Sequence, residues 1–307
     1  MVSEDKVKIV DESTGRVMPD RSWERGLHQL IEAKEGCALT ERRETLARMT
    51  YQRLFRRYIR LAGMTGTAQE VTREIKEVYG LDVAKIPLHK PAQRIYAKGH
   101  VFMTSAEKWK KVADTVARMA LTEGRPVLIG TRSVKASEEL SAVLTAIGIE
   151  HALLNAKQDE SEAEVISRAG QPGRVTVATN MAGRGTDIKL GPGVAEKGGL
   201  HVILTEYHES RRIDRQLFGR CARQGDPGSC EAIVSLEDEI YTVHAPTAAR
   251  LVGRLAAGRG ELPYGVFRAL RALAQSSAER QNALIRTQNL KLDRRLSKML
   301  AFSGKGE

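Results

Sequence analysis

Five short apolar runs, Pro126–Gly130, His151–Asn155, Val175–Thr179, His201–Thr205 and Ala232–Leu236, recur with centres about 24 to 31 residues apart. Each is too short for a helix and rich in β-branched or aliphatic residues, which is how a strand buried on both faces reads. The interval is too long for a hairpin. It suits a strand, a helix and two loops, so the runs imply βα units laid into a mostly parallel sheet. The sequence between them agrees. Glu107–Ala120 puts Trp109, Val112, Val116 and Met119 on one side of a helix, and Glu138–Ile147 does the same with Leu140, Val143, Leu144 and Ile147. Pro87 and Pro91 mark a boundary before this set. The fold class that follows is α/β, a parallel sheet flanked by helices.

The third run leads into a loop with chemical content. Val175–Ile188 reads VTVATNMAGRGTDI. At Gly183, Arg184 and Gly185 little side chain stands in the way, so backbone amides can approach a ligand. Asp187 then offers a carboxylate. Ligands of open α/β sheets sit outside the carboxyl ends of strands, and this loop reads as such a rim. A bare GxG is more often a tight turn after a core strand, with the Asp as a cap. A second cluster shifts that balance. Gln216–Asp226 reads QLFGRCARQGD, and the spacing of Gln216, Arg220 and Arg223 predicts one shared helix face. Two guanidiniums offer planar, permanently charged donors suited to a triphosphate and to charge that develops during phosphoryl transfer. A solvated basic helix face is the bland alternative.

With both clusters in place a family resemblance is plain. TNMAGRGTDI (179–188), GGLHVILTEYHESRRIDRQLFGR (198–220) and RQGD (223–226) resemble the second motor domain of SecA, the ATPase family that drives preproteins through the bacterial Sec channel. IVDESTGR (9–16), GLHQLIEAKEG (26–36), LAGMTGTAQE (61–70), VLIGTRSVKASE (127–138) and LLNAK (153–157) agree, in the family's order, from about Lys8 to Asp238. The resemblance implies a RecA-like, superfamily-2 helicase-like second motor domain with a mostly helical C-terminal extension. It implies four parts: residues 1–22, a linker from the preprotein cross-linking domain; 23–86, the end of the first nucleotide-binding domain; 87–240, the second; and 241–307, a connector and the start of the helical scaffold.

Site roles follow from the same resemblance. Asp187 would contact the nucleotide, and Gly183, Arg184, Gly185 and Thr186 would shape that side of the pocket, with Arg184 linking it to its neighbours. Arg220 and Arg223 would act as arginine fingers on phosphates bound by the other motor domain, and Gln224 would help sense nucleotide. Leu61–Thr67 would couple the nucleotide site to domain movement through its hydroxyls. Two positions depart from the family: Cys221-Ala222 stand where Ser-Gly or Ala-Gly is common between the arginines, and Phe218 stands where Arg is usual. No GxxxxGK[ST] phosphate cradle occurs, and Asp11-Glu12 belongs to the linker motif. The resemblance places the P-loop and the magnesium carboxylate upstream, in the first motor domain. ATP or ADP is therefore the expected cofactor, Mg2+ is expected only with that domain, no metal is held here, and this chain alone is not expected to hydrolyse ATP.

The rest of the sequence bounds the partners. A net charge of +11 predicts attraction to polyanions, whether nucleic acid or an anionic membrane surface. Aromatics are only 5% of the chain, too few for a basic surface interleaved with base-stacking rings, so nucleic acid is not the expected partner. The resemblance implies a SecYEG-type channel, unfolded preprotein and, where the P-loop lies on another polypeptide, that chain. The expected location is the cytoplasm, peripheral at the inner face of the plasma membrane. The three cysteines, Cys37, Cys221 and Cys230, have no metal-ligand spacing and read as reduced thiols. Val7–Val10 reads as a strand. Trp23–Tyr58 reads as mostly helical, with Leu46, Met49, Leu54, Phe55, Tyr58 and Ile59 as an apolar stripe. Phe267–Phe302 contains neither Gly nor Pro and is permitted as one long basic helix, with Leu270, Leu273, Leu284, Leu292, Leu296 and Met299 as its stripe. Two other functions stand beside the motor half: half of a superfamily-2 nucleic-acid helicase, and a non-catalytic truncated or accessory SecA-like protein.

Overall fold

The structure is a computed structural model that describes residues 1–3, 5–11, 17–18, 20–41, 49–154, 162–179, 185–256, 258 and 260–301. The N-terminal part holds two small antiparallel ribbons, β1 (Val2–Ser3) with β2 (Lys6–Val7) and β3 (Ile9–Val10) with β4 (Val17–Met18). The strand expected over Val7–Val10 is thus split at Lys8. Among the described residues three α-helices follow: α1 (Leu27–Glu35), α2 (Tyr51–Phe55) and α3 (Thr72–Tyr79). Helix accounts for only part of Trp23–Tyr58, and the apolar stripe expected there is not buried. Met49, Leu54, Phe55, Tyr58 and Ile59 are all exposed, and Leu46 lies outside the described residues.

The body of the molecule is one parallel sheet. Its strands are β5 (Gln93–Tyr96), β6 (His100–Phe102), β7 (Val127–Thr131), β8 (Ala152–Leu154), β9 (Val175–Thr179), β10 (Leu200–Leu204) and β11 (Pro227–Ser235). The order across the sheet is β5-β11-β10-β7-β9-β8, with β6 also paired to β11, and every pairing is parallel. All five expected strands are present, although β11 starts at Pro227, five residues earlier than expected. β5 carries no continuous apolar run, since Gln93 and Arg94 open it and Ile95 and Tyr96 are exposed, and β6 offers only the three-residue run Val101–Met103, so neither is legible as a strand.

Between the strands run α4 (Ser105–Val116), α5 (Val134–Ala146), α6 (Glu162–Arg168) and α7 (Arg211–Phe218), followed by α8 (Glu239–His244), α9 (Pro246–Leu255) and α10 (Tyr264–Ala301). Thr104 caps α4 through a capping box with Glu107, which satisfies two otherwise orphaned backbone donors. α4 continues past Val116 as a π-helical turn over Ala117–Thr122, where the Glu123 N–H bonds back to the Arg118 carbonyl at 3.0 Å. Side chains alternate across the sheet, so one strand feeds two cores. Val127, Ile129, Val175, Val177, Ile203 and Ile233 pack under α4 and α5. Leu128, Ala178, Val202, Leu204, Ala232 and Val234 face α6 to α10. Ile147 is the exception to the expected stripe of α5: it caps the helix and is 53% exposed.

α10 is a single helix of 38 residues. Its buried face differs from the expected leucine stripe. Phe267, Leu270, Ala274, Gln275 and Ala278 are buried, while Leu273, Leu284 and Leu292 are each at least 50% exposed, and the side chains of Leu296 and Met299 lie outside the description. The helix also ties back to the N-terminal part. Arg286 clamps Glu74 of α3 with bonds of 2.8 and 3.0 Å, and the Thr50 hydroxyl bonds to Asp293. No helix among the described residues is long and apolar enough to cross a membrane.

Candidate functional site

α7 positions the site. It follows β10, and its Leu217 fills the space beside Gly130 of β7 that any side chain there would occupy. At its far end Gly219 closes the helix, and the expectation that Gln216, Arg220 and Arg223 share a helix face fails. Only Gln216 is helical. Arg220 and Arg223 lie in the turn that leads into β11, where Ala222 (φ 52), Gln224 (φ 52) and Gly225 (φ 87) are left-handed. Three left-handed residues within four positions reverse the chain sharply, and the helix cannot continue through them. This turn, rather than a helix face, orients the arginines.

Arg223 is the hinge of the arrangement. Its Nε donates to the Gly219 carbonyl at 3.0 Å, and its Nη1 donates to the Thr186 carbonyl at 3.4 Å and to Asp187 Oδ1 at 2.9 Å. Two clusters 36 residues apart in sequence are therefore one site. Both partners are partly exposed, 34% for Arg223 and 44% for Asp187, so a ligand can reach them. Arg220, by contrast, is buried, and Gln224 is exposed. Gly185 has φ 91, which suits the glycine found there. Gly183 and Arg184 lie outside the described residues.

The pair is not on the carboxyl rim of the sheet, where a loop after β9 was expected to place it. Two residues past Asp187, the Lys189 carbonyl packs against Gly170, and the Gly191 N–H bonds to the Gly170 carbonyl at 2.9 Å. Gly170 follows α6 and precedes β9, and Arg223 sits just ahead of Pro227, the first residue of β11. Residues 187–191 therefore lie toward the amino ends of the strands, and Asp187 meets Arg223 there.

A cavity of about 570 Å³ opens beside the turn, lined among others by His89, Lys90, Arg94, Arg223 and Gln224, with no acid among its described lining residues. Arg94 supports the turn from below, donating to the Cys221 carbonyl through Nη2 at 2.7 Å and Nε at 3.3 Å. Sequence reading missed Arg94 and Lys90 because β5 was not recognised as a strand, and an isolated basic residue in a Pro-flanked connector carries no signal. An electropositive recess with two guanidiniums fits phosphate oxygens. No group of three or more His, Cys, Asp or Glu among the described residues could hold a metal ion.

The LAGMTGT motif touches the same helix. Gln216 Nε2 donates to Thr67 Oγ1 at 3.3 Å, and Thr67 Oγ1 lies 3.2 Å from Thr65 Oγ1. The preceding residue, Arg215, pairs with Glu70 at 2.5 Å. The hydroxyls of this motif thus contact the helix whose end carries the arginine turn.

Comparison with known proteins bears on the family. The family model described as the SecA P-loop domain matches residues 91–195 and 192–255, and that of the SecA DEAD-like domain matches residues 3–76. Protein translocase subunit SecA 2 of Nitrosospira multiformis is 57% identical over 307 residues, which is 100% of this chain and 46% of that protein. The SecA 2 of Bordetella avium is 51% identical over 308 residues, again 100% of this chain and 46% of the relative. SecA of Halothermothrix orenii is 55% identical over 240 residues, 78% of this chain and 28% of the relative. The chain therefore spans less than half the length of these relatives, and by both its family models and its identity to them it belongs to the SecA family.

Proposed function

We propose that this chain provides the second-motor-domain side of the nucleotide site in a SecA-type, ATP-driven preprotein translocation motor. The observation that carries the reading is the Asp187–Arg223 contact, in which Arg223 also lines a cavity whose described lining holds Lys90 and Arg94 and no acid. In this role Arg223, together with Arg220 once the turn moves, stabilises charge on phosphates presented by a first motor domain. Asp187 and the Gly185–Thr186 backbone contact the nucleotide, and Gln224 responds to it. The phosphate-cradling lysine and the magnesium carboxylate come from elsewhere, upstream in the same polypeptide or on another chain. ATP supplies the driving free energy; the residues here position it and report its state. The contact of Gln216 with Thr67 gives the coupling route, because a displacement of the arginine turn is carried through α7 to the LAGMTGT segment. A SecYEG-type channel, unfolded preprotein and an anionic membrane surface are the proposed partners. The division into linker, end of the first nucleotide-binding domain, second nucleotide-binding domain and scaffold belongs to the same proposal.

The test is nucleotide binding and turnover by the purified chain, with a fluorescent ATP analogue and phosphate release. Weak binding without turnover is expected, and Asp187→Asn is expected to weaken binding by about tenfold, equivalent to ~1.4 kcal/mol. Turnover by the chain alone, abolished by Arg220→Ala, would overturn the reading, because it would require a complete phosphate site within these residues.

A further inference from the structure

Cys221, in the arginine turn, and Cys230, in β11, are brought close by the structure. Cys221 stands between the two arginines. Its Sγ donates to the Phe218 carbonyl at 3.3 Å and reaches the Ser229 carbonyl, the peptide that directly precedes Cys230, at 3.5 Å, and each thiol shifts the ionisation of the other. The backbone agrees: a Cβ built on Gly228 would lie 3.0 Å from Cys221 Cβ, and Gly228 and Cys230 share one face of β11. Both side chains are buried at 1% exposure. Cys230 nevertheless lines a cavity of about 430 Å³ whose walls include Tyr96, Phe218 and Tyr264. Tyr96 and Tyr264 are themselves exposed, so a small uncharged molecule has a path to Cys230, beside which Cys221 lies.

We propose that Cys221 and Cys230 form a reversible dithiol–disulfide site, oxidised by a hydroperoxide, that covalently locks the arginine turn to β11. The contact with Cys230 and the nearby Arg94 guanidinium draw the Cys221 thiol down to about 7, and Cys230 is pushed up. Cys221 is therefore the thiolate that attacks. Its sulfur takes one peroxide oxygen as the O–O bond breaks, the other oxygen leaves as hydroxide and is protonated to water, and Cys221 becomes a sulfenic acid. The Cys230 sulfur then attacks Cys221 Sγ, the S–S bond forms, and the sulfenic oxygen departs as water with the Cys230 proton. Two thiols and one hydrogen peroxide give one disulfide and two waters. The consequence is local. Residues 221 to 230 include Arg223 and all three left-handed positions, so the cross-link fixes the segment that orients Arg223 toward Asp187.

Peptide mapping tests this without reference to nucleotide. The folded chain is exposed to hydrogen peroxide, alkylated, denatured and digested with trypsin under non-reducing conditions. Cleavage after Arg220 and Arg223 releases Cys221-Ala222-Arg223, so a disulfide appears as this tripeptide joined to the peptide that begins at Gln224 and contains Cys230. The expected result is this linked species as the main product, abolished by dithiothreitol, with Cys37 still alkylated as a thiol. In Cys230→Ser, dimedone should label Cys221, and in Cys221→Ser the oxidant should leave Cys230 unmodified. Recovery of both cysteines as free thiols, their conversion to sulfinic or sulfonic acid without a link, or linkage to Cys37 would each overturn the proposal. The wild-type map decides the matter even if either variant fails to fold.

Discussion

Arg223 and Asp187 meet at 2.9 Å although 36 residues separate them, and each is also accessible to solvent. An exposed ion pair of this kind contributes about 0–1 kcal/mol to folding. Asp187→Asn and Arg223→Ala should therefore lower the melting temperature by no more than about 4 °C. Both should nevertheless reduce nucleotide binding by about tenfold, or ~1.4 kcal/mol. Thermal unfolding run beside the titration separates the two effects. A melting temperature that collapses with binding would show the pair to be structural.

Lys108 and Asp238 behave oppositely. Their side chains are 5% and 2% exposed and meet at 2.6 Å, and Asp238 also accepts from the Ser235 N–H and hydroxyl. Removing one charge strands the other in a buried setting. Lys108→Met should cost about 3–5 kcal/mol, and the double variant Lys108→Met with Asp238→Asn should recover part of that loss. Denaturant unfolding of the single and double variants measures the coupling.

Glu206 should make stability depend on pH. Burial is the main cause that lifts its carboxyl to about 7, with Asp238 adding to the shift and Arg132 and Lys108 opposing it. Its folded value lies above its ordinary value of 4.5, so the folded state holds the proton longer than the unfolded chain does. Glu206 therefore penalises folding increasingly as pH rises from about 4.5 to about 7, and the penalty is constant above that. Glu206→Gln removes it and should stabilise the protein at pH 8 by up to ~3 kcal/mol, and much less at pH 5. Chemical denaturation of both proteins across that range is the check; equal pH profiles would sink the assignment.

Gly199 sits where β10 begins, at φ 71, and a Cβ there would lie 1.9 Å from the Pro227 carbonyl. Both the backbone conformation and the space reject a side chain. Gly199→Ala should destabilise by about 3 kcal/mol or more, because backbone must move in two central strands. Gly193→Ala, with a left-handed φ of 73 but nothing within 4 Å, should cost less. Equal losses in the two variants would mean that strain rather than the clash dominates.

Legibility in the sequence followed burial. β7, β9 and β10 are buried at every position, so composition alone marks them. β5 is an edge strand with polar and exposed residues, and no pattern distinguishes it from a loop. The same logic explains α10. Absence of Gly and Pro showed that a helix is possible, but leucines at helical spacing did not show which face packs. The buried face uses Phe267 and small residues such as Ala274 and Ala278, because close approach to a neighbouring helix, chiefly α8, needs small side chains. In the site, Asp187, Arg220 and Arg223 were legible as residue types, and their pairing was not.

By itself the sequence determined the α/β class, the central strands and the residues proposed to meet phosphate, because strand burial and side-chain chemistry are local properties. The tertiary structure alone decided where those residues meet. Asp187 lies on the amino side of the sheet, and left-handed residues at 222, 224 and 225 follow α7 and turn Arg223 toward Asp187. Strand order and chain reversal depend on contacts between distant segments, here Lys189 with Gly170, Arg94 with Cys221 and Gln216 with Thr67. Such contacts leave no periodicity in the chain.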